Sequence, residues 1–585
     1  MIHRSMRYQL VISFFLLLAL MLSGCGRPPL PTPMPTATPL GQAAQPSATP
    51  EPAAETAPAP AASVMWWNDR VFYEIFVRSF YDSDGDGIGD LNGVIAKLDY
   101  LNDGDPTTST DLGITGIWLM PVAQSPSYHG YDVTDYYTVE QDYGTNADFQ
   151  RLMDEAHRRG IKVIVDLVLN HTSVEHPWFV ESAKGADSAR RAWYRWAAQD
   201  DGTTAPWSGG GPVWHKRGSE YYFAMFWDGM PDLNYATPDV TAEMENVARF
   251  WLEDMGADGF RLDAVRHLVE QGTVYSGTAE THQWLAGFDD FVDSVDPAAL
   301  TVGEVWDASS EVVKYIKGDE VDLAFEFDLA ETIITSVQRG QPVDSSQQIA
   351  ARLATYPPNQ FATFLTNHDQ PRVATTLFKN PAGNMLAGAA LLTLPGVPFI
   401  YYGEEIGMTG NKPDEKIRTP MQWNADVAAG AGFTTGQPWQ AINAEAGRAI
   451  NVADQQNDPG SQLAVYRQLI HLRNATPALL RGNLLPVESS CASTLAYLRQ
   501  APADDADAAG QTVLVVLNLA RKDEQSGCTF RYAGKALSAG QYAVMELLSS
   551  TAAAPLTVAA DGFSDYLPIP VMAAQTAYVL LLAGE

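Results

Sequence analysis

The chain has 585 residues, 46% of them hydrophobic and 10% aromatic, which is enough for a large core and more than one domain. Its 70 acidic residues against 37 basic ones give a net charge of -33. So acidic a surface repels nucleic acid and anionic membrane, which excludes nucleic acid as a partner and otherwise serves solubility.

At the N-terminus Arg4 and Arg7 precede the apolar run LVISFFLLLALML, which closes in LSGC, Leu22 to Cys25. A basic start, a short apolar core and small residues predict a secretory leader over 1–25, short for a spanning helix, which needs about 20 apolar residues. The ending resembles a bacterial lipobox, which implies cleavage before Cys25 and lipid attachment to its thiol; an ordinary signal peptide with an incidental cysteine is the alternative. Residues 26–64 are rich in Pro, Ala and Thr and predict an extended tether that builds no core. The folded part is therefore expected outside the cytoplasm, lipid-anchored to the cell membrane or secreted. There Cys491 and Cys528 can form a disulfide, or remain two buried thiols.

Folded sequence begins near Trp66. Apolar runs follow at 71–77, 114–120, 162–168, 259–263, 300–305, 322–327, 361–366 and 397–402, with helical patterns such as NADFQRLMDEAHRRG between many of them. The near-continuous apolar runs suit parallel strands buried on both faces. The alternation predicts an α/β fold, a (β/α)8 TIM barrel over 65–479, with a doubly wound sheet as the alternative from pattern alone. One connection is too long for a plain crossover and reads as a subdomain, 171–236, inserted after the third strand. From 480 to 585 short strand patterns separated by turns predict a C-terminal antiparallel β-sandwich.

The loop after the first strand, DSDGDGIGD, sets carboxylates at every second position. Asp82, Asp84 and Asp86 match positions 1, 3 and 5 of an EF-hand loop, Gly87 matches position 6, and Ile88 would offer its carbonyl to calcium. Gly93 stands where an EF-hand needs its last Glu, so a full EF-hand is excluded.

The candidate strands end in DLVLNH, FRLD, VGEVWD and LTNHDQ. In a barrel these ends converge on one mouth. Clustered carboxylates there suit glycoside cleavage, in which one must be ionised and another must hold a proton. Arg261 shares a face with Asp263 because strand side chains alternate, and a cation there would keep Asp263 ionised and aimed. Glu304, on the next strand, would be kept protonated by the carboxylates near it.

DLVLNH, GFRLDAVRH, GEVWD and TNHDQ, in this order, resemble the conserved regions of the α-amylase family, glycoside hydrolase family 13, and the likeness covers about 66–585. It implies Asp263 as nucleophile, Glu304 as general acid/base and Asp369 as the carboxylate that grips hydroxyls of the cleaved sugar. It implies Arg261 as the partner of Asp263, His171 and His368 as donors to that sugar, Tyr131 of YHGYD as the ring that stacks on it, and His129 as a further hydrogen-bond partner. Some members hold calcium in the loop after the first strand, which adds Asp90 as a ligand. A second calcium site is implied between barrel and insertion, with Asn170, Asp232 and the His267 carbonyl as ligands. One or two structural calcium ions are thus expected.

MPDLN, Met230 to Asn234, resembles the family's fifth region as neopullulanase-like and intermediate α-amylases carry it. The small Ala264 after the nucleophile accompanies α-1,4 cleavage in the family. RTPMQWN, Arg418 to Asn424, also resembles a family loop, but no role follows for it from the sequence. The reading is a monomeric α-amylase acting on α-1,4 bonds of starch-like glucans. A neopullulanase or cyclomaltodextrin hydrolase, an α-glucan transglycosylase and a non-catalytic glucan-binding protein are the alternatives.

Overall fold

Eight short parallel strands follow the apolar runs in order. They are β1 (Phe72–Ile75), β2 (Gly116–Leu119), β3 (Lys162–Leu167), β4 (Gly259–Leu262), β5 (Leu300–Gly303), β6 (Leu323–Ala324), β7 (Ala362–Thr363) and β8 (Val397–Tyr401). The structure is a computed structural model that describes residues 65–585 apart from 208–209, 273, 506–509, 550 and 585. The expected leader with Cys25 and the tether up to 64 lie outside the described residues.

The strands hydrogen-bond in the order β6-β5-β4-β3-β2-β1-β8-β7, and a parallel bridge between Phe325 and Ala362 joins the two edges into a closed barrel. The interior is a packed plug that includes Phe72, Trp118, Ile164, Val302, Phe325 and Phe399. Alternate residues such as Tyr73, Ile117, Val163 and Phe260 face the outer helices in a separate core.

Helices return the chain between strands: α1 (Leu91–Ala96), α2 (Asn146–Arg158), α3 (Pro238–Arg249), α4 (Ala279–Val295), α5 (Ser309–Lys317), α6 (Phe327–Arg339), α7 (Pro381–Thr393) and α8 (Gln462–Asn474). In α2, Thr145 and Asp148 form a capping box, and Phe149, Leu152, Met153 and Ala156 supply the buried stripe. Among the described residues no helix is long and apolar enough to cross a membrane.

The insertion after β3 carries a three-stranded antiparallel sheet built from Trp196–Ala197, Glu220–Phe223 and Trp214–Arg217. It returns to the barrel through the bridge His171–Asp232 and the Leu233 N–H to Asn170 carbonyl bond, so MPDLN lies against the end of β3.

The C-terminal sheet is antiparallel. It comprises β9 (Asn483–Ser489), β10 (Thr494–Gln500), β11 (Thr512–Asn518), β12 (Phe530–Ala533), β13 (Gly540–Glu546), β14 (Leu556–Val558), β15 (Gly562–Tyr566) and β16 (Thr576–Gly584), in the order β14-β13-β16-β11-β10-β9-β12-β15. Its central strands are covered on both sides. Tyr497, Val513, Val515 and Val579 join the core shared with the barrel, while Leu498, Leu514, Val516 and Leu580 enclose a second core with Phe530 and Phe563. That is why TVLVVLN reads as a continuous apolar run. Cys491 and Cys528 are joined in a disulfide beside this second core.

Arg499 fastens sheet to barrel. It is fully buried, and its guanidinium donates to the carbonyls of Gly482, Leu479 and Thr393, the last at the end of α7. Arg499→Met leaves those carbonyls buried without donors, each such loss costing about 1–3 kcal/mol. A clear drop in urea midpoint with unchanged m-value is the expected result; a wild-type midpoint would contradict it.

Candidate active site

The inward series on several strands changes from apolar to charged as it climbs. Glu74, Asp166 and Glu304 each stand two residues beyond the plug residues Phe72, Ile164 and Val302. On β4 the same face carries Arg261 and then Asp263. Asp166 pairs in register with Arg261, and Gly303 with Leu262, so Asp263 and Glu304 come next to each other at the ends of β4 and β5.

Arg261 is the hub, and none of it is exposed. Its Nη1 donates to Asp166 Oδ1 and Oδ2 at 2.9 Å each and to Asp263 Oδ1 at 2.9 Å. Its Nη2 lies 2.8 Å from Glu304 Oε2. The sequence suggested one cation for one carboxylate; the structure divides it among three. This is the physical reason why Arg261 does not hold Asp263 in the ordinary carboxylate range. Burial, then the Asp166 and Asp369 carboxylates, push the Asp263 carboxyl up to about 7 against the pull of Arg261. Burial, with Asp263 and Asp369 beside it, lifts Glu304 to about 7 as well, again against Arg261. Asp166 rises to about 6 through burial, opposed by Arg261 and Tyr131.

Asp369 behaves differently. Burial alone would raise it, yet His368, Arg418 and Arg261 bring it down to about 2. Arg418 Nη2 donates to Asp369 Oδ1 at 2.8 Å, and its Nε donates to the His368 carbonyl at 3.0 Å. Arg418 opens RTPMQWN, so the loop that gained no role from the sequence carries a clamp on the third carboxylate.

His368 lies between Glu74 Oε1, 2.5 Å from Nδ1, and the Tyr131 hydroxyl, 2.7 Å from Nε2. The Tyr131 hydroxyl is also 3.0 Å from Asp166 Oδ2, and its ring stacks on His368 at 5.6 Å. His129 accepts the Tyr131 backbone N–H through Nδ1 at 3.1 Å. Burial drives His171 down to about 3, so it is neutral, and its buried Nε2 has no hydrogen-bond partner in the protein. These residues therefore form one group around Arg261 and His368.

Ala264 adopts φ 48°, a left-handed conformation uncommon for a residue with a Cβ, and its N–H donates to Glu304 Oε2 at 3.2 Å. This strained turn couples the residue after Asp263 to Glu304. Nothing in the local sequence signalled it.

In the loop after β1, ligand oxygens of Asp82, Asp84 and Asp86 lie within 4.8 Å of one another. Asx turns hold the loop: Asp82 accepts from the N–H groups of Asp84, Gly85 and Gly87, and Asp86 from that of Ile88. Gly87 has φ 100°, and a Cβ there would meet the Gln437 carbonyl at 1.8 Å, so glycine is required for this close approach. Asp90, the fourth expected carboxylate ligand, lies beside this cluster and has contacts of its own. Its carboxylate accepts from Ser83 N–H and hydroxyl and from Gly93 N–H, at 2.7, 2.8 and 2.7 Å, and so caps α1 outside the cluster of three.

At the second group, Asn170 Nδ2 donates to the His267 carbonyl at 2.8 Å. Asp232 Oδ2 is buried without a partner, and so is Glu270 Oε1. Burial, then Glu270 beside it, hold the Asp232 carboxyl well above its ordinary range. Orphaned carboxylate oxygens beside an amide and a backbone carbonyl make a donor set that fits a hard cation. Glu270 belongs with this group and was missed from the sequence because it lies in an irregular segment with no motif spacing.

The family description alpha amylase, catalytic domain, matches residues 74–482. Alpha-amylase 3 of Dictyoglomus thermophilum is 41% identical over 436 residues, which is 74% of this chain and 82% of that protein. A trehalose synthase/amylase of Mycobacterium tuberculosis is 36% identical over 520 residues, covering 79% and 83%. Among solved structures, the α-amylase from H. orenii is similar with a TM-score of 0.72 and 38% identity, over 88% of this chain and 99% of that one.

Proposed function

The chain belongs to the α-amylase family, whose catalytic domain it carries, and from that premise we propose that it hydrolyses internal α-1,4 bonds of starch-like glucans with retention of configuration. The observation that carries this is Asp263 and Glu304 on neighbouring strands, both in contact with Arg261. Adjacent strands are about 4.8 Å apart, which suits the carboxyl separation of a retaining enzyme, about 5–5.5 Å, better than the wider inverting one.

In this reading an Asp263 oxygen attacks the anomeric carbon while Glu304 gives its proton to the departing glycosidic oxygen. That breaks the C–O bond and leaves a sugar ester on Asp263. Glu304, now a carboxylate, takes a proton from water; the water oxygen attacks the same carbon and frees Asp263. Asp369, kept ionised beside Arg418, grips sugar hydroxyls, Tyr131 offers its ring, and the neutral His129, His171 and His368 bond the same sugar. Exposed rings of Trp207, Phe226, Trp227 and Trp306 suit further glucosyl units, and the Phe226 ring is 5.7 Å from that of His171. The small Ala264 supports α-1,4 over α-1,6 cleavage.

The test is a product time course of the purified protein on soluble starch, pullulan, a cyclodextrin and maltotriose, with the anomer followed by NMR. Short malto-oligosaccharides released first as α-anomers are expected. The β-anomer first, or turnover of α-1,6 bonds alone, overturns the reading. Transfer products at high maltotriose would instead mark the trehalose-synthase-like side of the family.

The first step needs Glu304 protonated and Asp263 ionised, so the pair works with one proton between them. Both carboxyls are pushed up to about 7. Log kcat/KM against pH is therefore expected to fall on both sides of neutrality: above as Glu304 loses its proton, below as Asp263 gains one. A rate that stays flat far into the alkaline range contradicts this.

Calcium fits as a structural ion held by Asp82, Asp84, Asp86 and the Ile88 carbonyl. A second is proposed on Asn170, Asp232 and the His267 carbonyl, with Glu270. When bound it supplies charge neutralisation and no step of the reaction. Binding at 100 times Kd stabilises by about 2.7 kcal/mol, so EGTA is expected to lower Tm; equal values with and without calcium contradict the proposal. Export, lipid attachment at Cys25 and action as a monomer complete the proposed role.

A further inference from the structure

Glu74 is a carboxyl in the wall of a packed barrel, 2% exposed, on a strand that gave no catalytic motif. Its contact is with Nδ1 of His368, 294 residues away in sequence, at 2.5 Å. On the other side of the ring, Nε2 faces two oxygens: the Tyr131 hydroxyl at 2.7 Å and Asp369 Oδ2 at 3.3 Å. Asp369 is the ionised carboxylate held by Arg418. A bare Nε2 lone pair turned toward that carboxylate is repulsive, so Nε2 carries a proton. Tyr131 does not need the ring as acceptor, because Asp166 Oδ2 stands 3.0 Å from its hydroxyl. The remaining question is what occupies the gap at Nδ1.

We propose that Glu74 is a positioning residue: its carboxylic acid donates to Nδ1 of His368 and so fixes the ring with its proton on Nε2, toward Asp369 and the bound sugar. The kinetic part rests on the reading of His368 as a sugar-binding group; the proton placement does not. Two observations make the donor Glu74 rather than the ring. Burial, with Arg418 and Arg261 nearby, disfavours a charged imidazolium and keeps His368 neutral although the Asp369 carboxylate opposes it. Burial, with the Asp369 and Asp166 carboxylates nearby, holds the Glu74 carboxyl well above its ordinary range although Arg261 and Arg418 oppose it. Every contact is then matched in sense: Glu74 O–H to Nδ1, Nε2–H to the Tyr131 and Asp369 oxygens, Tyr131 O–H to Asp166. Ionised Glu74 with hydrogen on Nδ1 leaves the Nε2 lone pair against Asp369.

The decisive measurement is the nitrogen NMR spectrum of the protein labelled with 15N-histidine, with the His368 signals identified by their loss in His368→Asn. A pyridine-type Nδ1 and a protonated Nε2 near neutral pH are expected. A protonated Nδ1, in a neutral or a charged ring, overturns the proposal, and this result needs no activity. Kinetics supply the second arm. In Glu74→Gln an amide N–H can take the same place, and kcat on maltodextrin is expected within about fivefold of wild type; in Glu74→Met nothing can, and a loss on the order of 10- to 100-fold is expected. In the His368→Asn background Glu74→Met should add nothing further, because Glu74 acts only through the ring. An added loss of the same size there, or a Gln variant as poor as the Met one, overturns it as well. A wild-type protein inactive on every glucan would instead sink the functional reading while leaving the NMR result to decide the proton.

Discussion

Asp263→Asn is expected to abolish turnover of starch, a fall in kcat on the order of 10⁴-fold or more, while the protein stays folded. The amide cannot form the sugar ester, yet its oxygen can still accept from Arg261 Nη1, which Asp263 now does at 2.9 Å. The stability change has a sign. Asp263 has its carboxyl raised to about 7 in the folded protein, from a usual value of 3.8. The folded state thus holds this proton more tightly than the unfolded chain. The stability it contributes is present below the unfolded pKa and is lost as pH rises toward 7. Replacing Asp263 by a neutral group should therefore help stability more at pH 8 than at pH 5. Urea midpoints of both proteins at the two pH values, together with starch assays, check this. Retained activity sinks the assignment of the nucleophile. A midpoint that falls more at pH 8 than at pH 5 sinks the electrostatic account.

Arg261→Met is expected to cause the largest combined loss. It removes the cation that Asp166, Asp263 and Glu304 share, and leaves three carboxyls packed together without it. Breaking a buried ion pair by deleting one partner costs about 3–5 kcal/mol, because the other charge is left uncompensated. Activity should disappear too, since without Arg261 all three carboxyls take protons more readily and Asp263 is no longer available as an anion. The destabilisation should be smaller at pH 5, where the carboxyls escape the cost by protonation, and larger at pH 8. Arg261→Lys keeps the charge but has no fork to span two strands, so partial stability without much activity is expected. Equal stability of wild type and Arg261→Met at pH 8 would contradict the role of Arg261 as common counter-charge.

Much of this protein was legible as sequence because the signals are local. The period of two on β4 put Arg261 and Asp263 on one face, and the strand-end motifs brought Glu304 to the same mouth, before any contact was known. The spacing of Asp82, Asp84 and Asp86 around Gly85 and Gly87 announced the carboxylate cluster of the loop after β1 in consecutive residues. The alternation of apolar runs with helical patterns gave the barrel, and the order of the strand-end motifs pointed to the family. Each of these follows from backbone geometry over a few residues, so a linear reading reaches it.

What the tertiary structure decided are contacts across the barrel and between distant loops. Arg261 serves three carboxylates because the register of β3, β4 and β5 sets Asp166, Asp263 and Glu304 around one guanidinium, and that register is a property of closure. Asp369 is held down by Arg418 from the loop that follows β8, and His368 meets Glu74 from the first strand. Asp90 caps α1 through contacts with Ser83 and Gly93 that no motif spacing announced. Glu270 joined Asp232 through a loop with no repeat to announce it. The charge state of each carboxyl depends on this company, since burial and neighbouring charges set it together. The chain order alone thus determined which residues face the mouth of the barrel, and only the closed fold decided which of them hold a proton.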